Sequence, residues 1–151
     1  MGGAIALQAA AVEQRISAVA AEAPFSSFRE ASYDYAGFHR SPWLGRVLFR
    51  SVVEAGFIAT RQMAGFYPSD VSPENSVAQR PFPILLISDG ADVVLPLRHQ
   101  QAILAAATGS KELWIVTGAT HASAMGVAPE EYEHRVLAFF AASRTTCSTS
   151  R

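Results

Sequence analysis

The chain has 151 residues, half of them apolar and only 17% charged, and its ionisable residues leave a net charge of -1. That length suits a single domain with its own core. The apolar share excludes disorder as the main state, and the balanced charge excludes the basic footprint of a nucleic-acid binder.

The one cysteine, Cys147, leaves no intrachain disulfide, and with no Cys/His cluster no metal is expected. At the amino end, Met1-Gly2-Gly3-Ala4-Ile5-Ala6-Leu7 has no basic leader and meets Glu13 and Arg15 too soon for a membrane span. Ala6 stands where N-myristoylation requires Ser or Thr. A cytoplasmic setting is expected, with no membrane partner.

Residues 2–13 are small and apolar with no breaker after Gly3, which predicts a helix packed very closely on its neighbour. Residues 16–23, rich in Val and Ala and stopped by Pro24, read as a buried strand. Residues 24–72 are too long for a bare loop and predict two or three helices. One starts at Pro42 with Ser41 as N-cap, its apolar stripe continuing through Val47, Leu48, Val52 and Val53. Another, short, starts at Ser72-Pro73-Glu74. Residues 82–88 form a near-continuous apolar run, as a parallel strand buried on both faces would. Residues 97–107 read as a helix stopped at Gly109, 112–117 as the last strand, and 129–142 as an amphipathic helix with Glu130 and Glu131 in its first turn. Residues 143–151 read as a disordered polar tail. This order predicts an α/β fold with a parallel sheet.

Ligands of open parallel sheets bind beyond the carboxyl ends of the strands. Three segments lie there: Ala23-Pro24-Phe25-Ser26-Ser27-Phe28, then Asp89-Gly90-Ala91-Asp92, then Gly118-Ala119-Thr120-His121. Asp92 is also an ordinary turn residue in such a loop, and Asp89 is a rival acid, read as lying on the rim. His134 reads as a solvated surface residue, His99 and His39 as structural, and Trp114 as core.

An acid after one strand and a histidine after the next resemble the α/β-hydrolase superfamily, whose triad runs nucleophile, acid, histidine. Asp89-Gly90-Ala91-Asp92-Val93-Val94-Leu95-Pro96 looks like its acid loop, with Asp89 where glycine is common. Gly118-Ala119-Thr120-His121 looks like its histidine loop, and Met1-Gly2-Gly3 is similar to the stretch just after the nucleophile in Gly-x-Ser-Met-Gly-Gly. The resemblance extends over residues 1–142, but only over the second half of the family's fold.

The resemblance implies a partial α/β-hydrolase fold: three parallel strands, flanking helices and a helical lid at about 24–72. It implies Asp92 and His121 as catalytic residues, Met1 as an oxyanion-hole donor, and Phe25, Phe28 and Trp43 as lid or pocket residues. Those lid aromatics serve equally well to pack the lid. Ser123 follows a loop, not a strand, and so lacks the elbow of a nucleophile. The chain is therefore expected to be inactive alone and to belong to a serine hydrolase of ester or related acyl bonds, with a small-molecule acyl substrate and no cofactor. Peptide hydrolysis, acyl transfer and peroxidation stay open. The alternative is an interaction module or split-gene subunit completed by a separate amino-terminal half, and self-association is expected of the unpartnered chain.

Overall fold

A computed structural model describes residues 1–39 and 42–148. Its centre is β2 (Ile84–Asp89), buried at every position. The unbroken apolar run dictates this, because a parallel strand covered on both faces has no side to give to water. β2 pairs in parallel with β1 (Val19–Glu22), Ile84 opposite Val19, and with β3 (Lys111–Val116), Ile84 opposite Lys111, giving the order β1-β2-β3.

Alternate residues of β2 feed two cores. Ile84 and Leu86 meet Leu7 and Ala10 of α1 (Gly2–Val12), Val77 of α5 (Pro73–Gln79) and Ile103 of α6 (Arg98–Ala106). Leu85 and Ile87 meet Val116, Ala124 of α7 (Ala124–Val127), and Tyr132, Val136 and Phe139 of α8 (Pro129–Ser148). Each large aliphatic side chain buried here stabilises the fold by roughly 1.5–3 kcal/mol. α1 lies close against β1, because a Cβ on Gly3 would stand 3.1 Å from the Glu22 carbonyl oxygen and 3.2 Å from the Ala21 Cβ. Arg80 closes the far end of α1 by donating to the Ala10 and Ile16 carbonyls.

Between β1 and α5 lie α2 (Phe28–Ala36), α3 (Pro42–Val47), α4 (Arg50–Ala64) and a 3-10 turn at Pro68–Asp70. The side chains of Ser27 and Ser72 cap α2 and α5, accepting from Glu30 and Asn75 N–H. Ser41, the expected cap of α3, lies outside the described residues.

Two expectations need correction. The helix from Pro42 does not run on through Val53: α3 ends at Val47 and α4 starts at Arg50, with Val47, Leu48 and Val52 all more than half exposed. The helix from Pro129 does not stop at Ala142. It continues to Ser148, since residues 143–148 are polar but hold no Gly or Pro to end it. No helix among the described residues is long and apolar enough to cross a membrane.

Candidate active site

The loop after β2 is laced to the end of β3. Gly90 N–H donates to the Val116 carbonyl (2.9 Å) and Ala91 N–H to the Ala119 carbonyl (2.8 Å). A Cβ on Gly90 would stand 2.9 Å from that Val116 oxygen, so only glycine fits there. Asp92 is thereby delivered beside the loop after β3. Its Oδ1 accepts from Val94 and Leu95 N–H, at 2.7 and 2.9 Å, and its Oδ2 lies 2.8 Å from His121 Nδ1. One oxygen thus serves the turn and the other faces the histidine. An ionised carboxylate only accepts, so Nδ1 donates to it, and in the neutral ring Nε2 is then the nitrogen with the lone pair. The Asp92 side chain is 2% exposed and that of His121 39%, which leaves the carboxylate inside and the ring at the surface.

Ala122 adopts φ +57, and the next amides are tied to strand-end carboxylates. Ala122 and Ser123 N–H donate to Asp89 Oδ2 (2.9 Å) and Oδ1 (3.3 Å), while Ala124 N–H donates to Glu22 Oε1 (2.9 Å). Asp89 is thus not on the rim. It is 4% exposed, and it holds the histidine loop by its backbone instead of facing the ring. The Ser123 hydroxyl is engaged inside its own loop, donating to the Thr120 carbonyl and accepting from Thr120 N–H, each at 2.8 Å.

A cavity of about 550 Å³ lies where the insertion meets α1; Met1, Ile5, Phe25, Phe28, Phe57 and Phe66 are among its lining residues. Phe25 and Phe28 meet edge to face at 6.0 Å. Trp43 is not in this wall, being on α3 and 66% exposed. Met1 accepts, through its carbonyl, the first amides of α1, from Ala4 and Ile5. Among the described residues no group of three or more His, Cys, Asp or Glu could hold a metal ion.

No protein-family model and no curated protein matches the sequence. Solved structures do. An acetyl xylan esterase from Paenibacillus sp. R4 superposes with a TM-score of 0.63 at 19% identity, over 93% of this chain and 42% of that one. The esterase Pf2001 of Pyrococcus furiosus gives 0.61 at 18% identity, over 91% of this chain and 48% of its own. MGS-M2, an α/β hydrolase from a Medee basin deep-sea metagenome library, gives 0.58 at 17%, over 93% and 62%. The chain carries part of the α/β-hydrolase fold. It spans about half the length of the esterases that it matches.

A second histidine–carboxylate pair joins α2 to α6. His99 Nε2 lies 2.8 Å from Asp34 Oδ2, and Nδ1 accepts from Ser26 N–H at 3.2 Å with Ser26 Oγ 3.0 Å away. Arg98 pairs with the other Asp34 oxygen. The structural reading of His99 holds, since the ring is 1% exposed. Its partners Asp34 and Ser26 escaped sequence reasoning, as did Glu22. A lone acid closing the apolar run of β1 was the available signal for Glu22; nothing in the sequence marked Asp34.

Trp114 is half-buried, with Tyr132 at 6.0 Å and the Arg135 guanidinium at 5.2 Å. His134 is exposed on α8, and His39 is half-buried beside Tyr35, ring centroids 4.4 Å apart.

Proposed function

We propose that this chain is the carboxyl-terminal portion of a Ser-His-Asp hydrolase acting on ester or related acyl bonds. The observation that carries the proposal is the 2.8 Å contact from Asp92 Oδ2 to His121 Nδ1, with the other Asp92 oxygen fixed by two amides. In this reading a serine on a segment preceding Met1 attacks the acyl carbonyl. His121 Nε2 takes the serine proton and later gives it to the leaving group, while Asp92 keeps the ring in its tautomer and stabilises the imidazolium. The backbone N–H of Met1 then donates to the oxyanion, and the apolar cavity beside Met1, walled by Phe25 and Phe28, takes the acyl group. No cofactor takes part.

The segment supplying the serine has a place to join. Among the described residues β1 pairs with β2 alone, and Met1, Ile5 and Val12 of the α1 region are 80%, 61% and 79% exposed. An unpaired strand edge beside exposed apolar side chains is a template for association. The same edge favours a second reading, a subunit completed by a separate amino-terminal chain. Under either reading the chain alone binds ANS or self-associates, and adding the missing half reverses this.

The test is catalytic. The chain alone should hydrolyse p-nitrophenyl esters no faster than His121→Ala and should resist fluorophosphonate labelling. Joined to the sequence encoded upstream of Met1, as the completed hydrolase, it should label and turn over, and His121→Ala should abolish turnover. Labelling of the chain alone would place the nucleophile inside it and overturn the proposal.

A further inference from the structure

We propose that Asp89 and Glu22 are positioning residues for His121, a role that rests on the catalytic reading of Asp92 and His121. Three consecutive amides follow His121 and reach carboxylates at strand ends: Ala122 donates to Asp89 and Ala124 to Glu22, each at 2.9 Å, while Ser123 N–H is shared between the Thr120 carbonyl at 3.0 Å and Asp89 Oδ1 at 3.3 Å. The two acids come from adjacent strands, Glu22 closing β1 and Asp89 closing β2. Tyr132 completes the array by donating its hydroxyl to Glu22 Oε2 at 3.1 Å. Burial pushes the Tyr132 phenol up, and the Glu22 and Asp89 charges push it further, so both acids bear on one small volume.

The physical case has two parts. First, among the described residues neither acid pairs with a cation, so their charge is balanced by N–H and O–H donors. Asp89 is buried and Glu22 half-buried; a carboxylate taken out of water is costly without such donors, and bonds to an ionised acceptor are stronger than neutral ones. The donors are therefore strongly bound to their places. Second, Ala122 at φ +57 occupies the left-handed region, which is unfavourable for a residue with a Cβ. Such a conformation persists only where its surroundings hold it, and both ends of this one are held. Ala122 N–H is bonded to Asp89, and on the other side the Ala119 carbonyl accepts from Ala91 of the acid loop. His121 lies between these anchors. Without them the ring has no fixed approach to Asp92.

The test reads amide hydrogen exchange by mass spectrometry with residue-level fragmentation, and kcat against KM in the completed hydrolase. Asp89→Asn keeps the shape but turns an NH2 group toward one of the two amides. It should speed exchange at Ala122 by at least tenfold, with Leu85 and Leu86 as in the wild type, and lower kcat by ten- to a hundredfold with KM within twofold. Glu22→Ala should do the same at Ala124. Glu22→Gln should restore it, since Oε1 still accepts and the new amide can donate to Tyr132. Unchanged exchange at Ala122, or an unchanged kcat, would overturn the inference. If Asp89→Asn also loosens β2, the Glu22→Ala and Glu22→Gln pair decides in the same way. Failure of the catalytic reading looks different: Asp92→Asn would then leave kcat unaltered, whatever the exchange at residues 122–124.

Discussion

Two histidine–aspartate pairs sit in this chain at the same 2.8 Å, and their surroundings make them opposites. Asp92 meets His121 at Nδ1, while Asp34 meets His99 at Nε2. The second nitrogen of His121 is left at the surface; that of His99 is spent on Ser26 inside the protein, where the ring is 1% exposed against 39% for His121. A short contact between imidazole and carboxylate is therefore no evidence of catalysis by itself. What the far nitrogen faces decides: under the proposed function one pair takes a proton from the attacking serine, and the other ties the insertion, through α2, to α6.

The sharpest way to break this comparison is to replace both acids in the completed hydrolase. Asp92→Asn should lower kcat by about 10⁴-fold, the scale lost when a triad's orienting carboxylate becomes an amide. Asp34→Asn should leave kcat within a fewfold. Steady-state rates on a p-nitrophenyl ester check both, and equal losses would mean that the Asp34 pair belongs to the chemistry.

The ranking should reverse for stability. Asp34→Asn weakens a buried acceptor of two donors, Arg98 and His99, and should cost about 2–3 kcal/mol, the upper range for hydrogen bonds to charged groups. For a chain of this size that lowers Tm by roughly 4–12 °C. Differential scanning calorimetry of the wild type and the two variants would show it; Asp92→Asn melting lower than Asp34→Asn would invert the assignment.

How much of this was legible beforehand follows from the same contrast. The loops bearing Asp92 and His121 could be read because a parallel sheet delivers its strand-end residues to one edge, and short apolar runs mark the strands. Asp34 sits mid-helix in the insertion, in Tyr33-Asp34-Tyr35, and nothing local says that it points at a histidine 65 positions on. The insertion was opaque in other ways too. Val47, Leu48 and Val52 are spaced like a buried stripe but are exposed, because periodicity reports which face is apolar and not what covers it. Asp89 misled because it stands where the resembled family commonly has glycine and so read as rim; only the fold shows two amides converging on it.

A smaller effect sharpens the comparison by pH. Burial pushes the Asp34 carboxyl up, but hydrogen bonds from His99 and then Arg98 outweigh it, and the group sits below its ordinary range. A carboxyl depressed in the folded state contributes stability that is fully present above its unfolded value of about 3.9 and is lost as pH falls through the folded value. Urea midpoints taken from pH 6 to pH 3 should therefore fall more steeply in the wild type than in Asp34→Asn below about pH 4. Parallel curves would show that the pair contributes nothing through its charge.

The smallest expected effect concerns Ser26, which makes the buried pair a Ser-His-Asp set by composition. Ser26 is 3% exposed, and its hydroxyl shares the one Nδ1 lone pair of His99 with its own backbone N–H. A nucleophile needs a base that takes its proton without competition and an open approach for the carbonyl; Ser26 has no base of its own, and although it lies beside a cavity of about 430 Å³ it is itself buried. Ser26→Ala removes the hydroxyl and leaves the N–H in place, so the ring keeps a donor at Nδ1 and the cost should be about 1 kcal/mol or less. Tm should fall by no more than roughly 4 °C. A fluorophosphonate adduct located at Ser26 by peptide mapping would instead mean that burial does not keep this serine from an electrophile, and the difference between the two pairs would lose its physical basis.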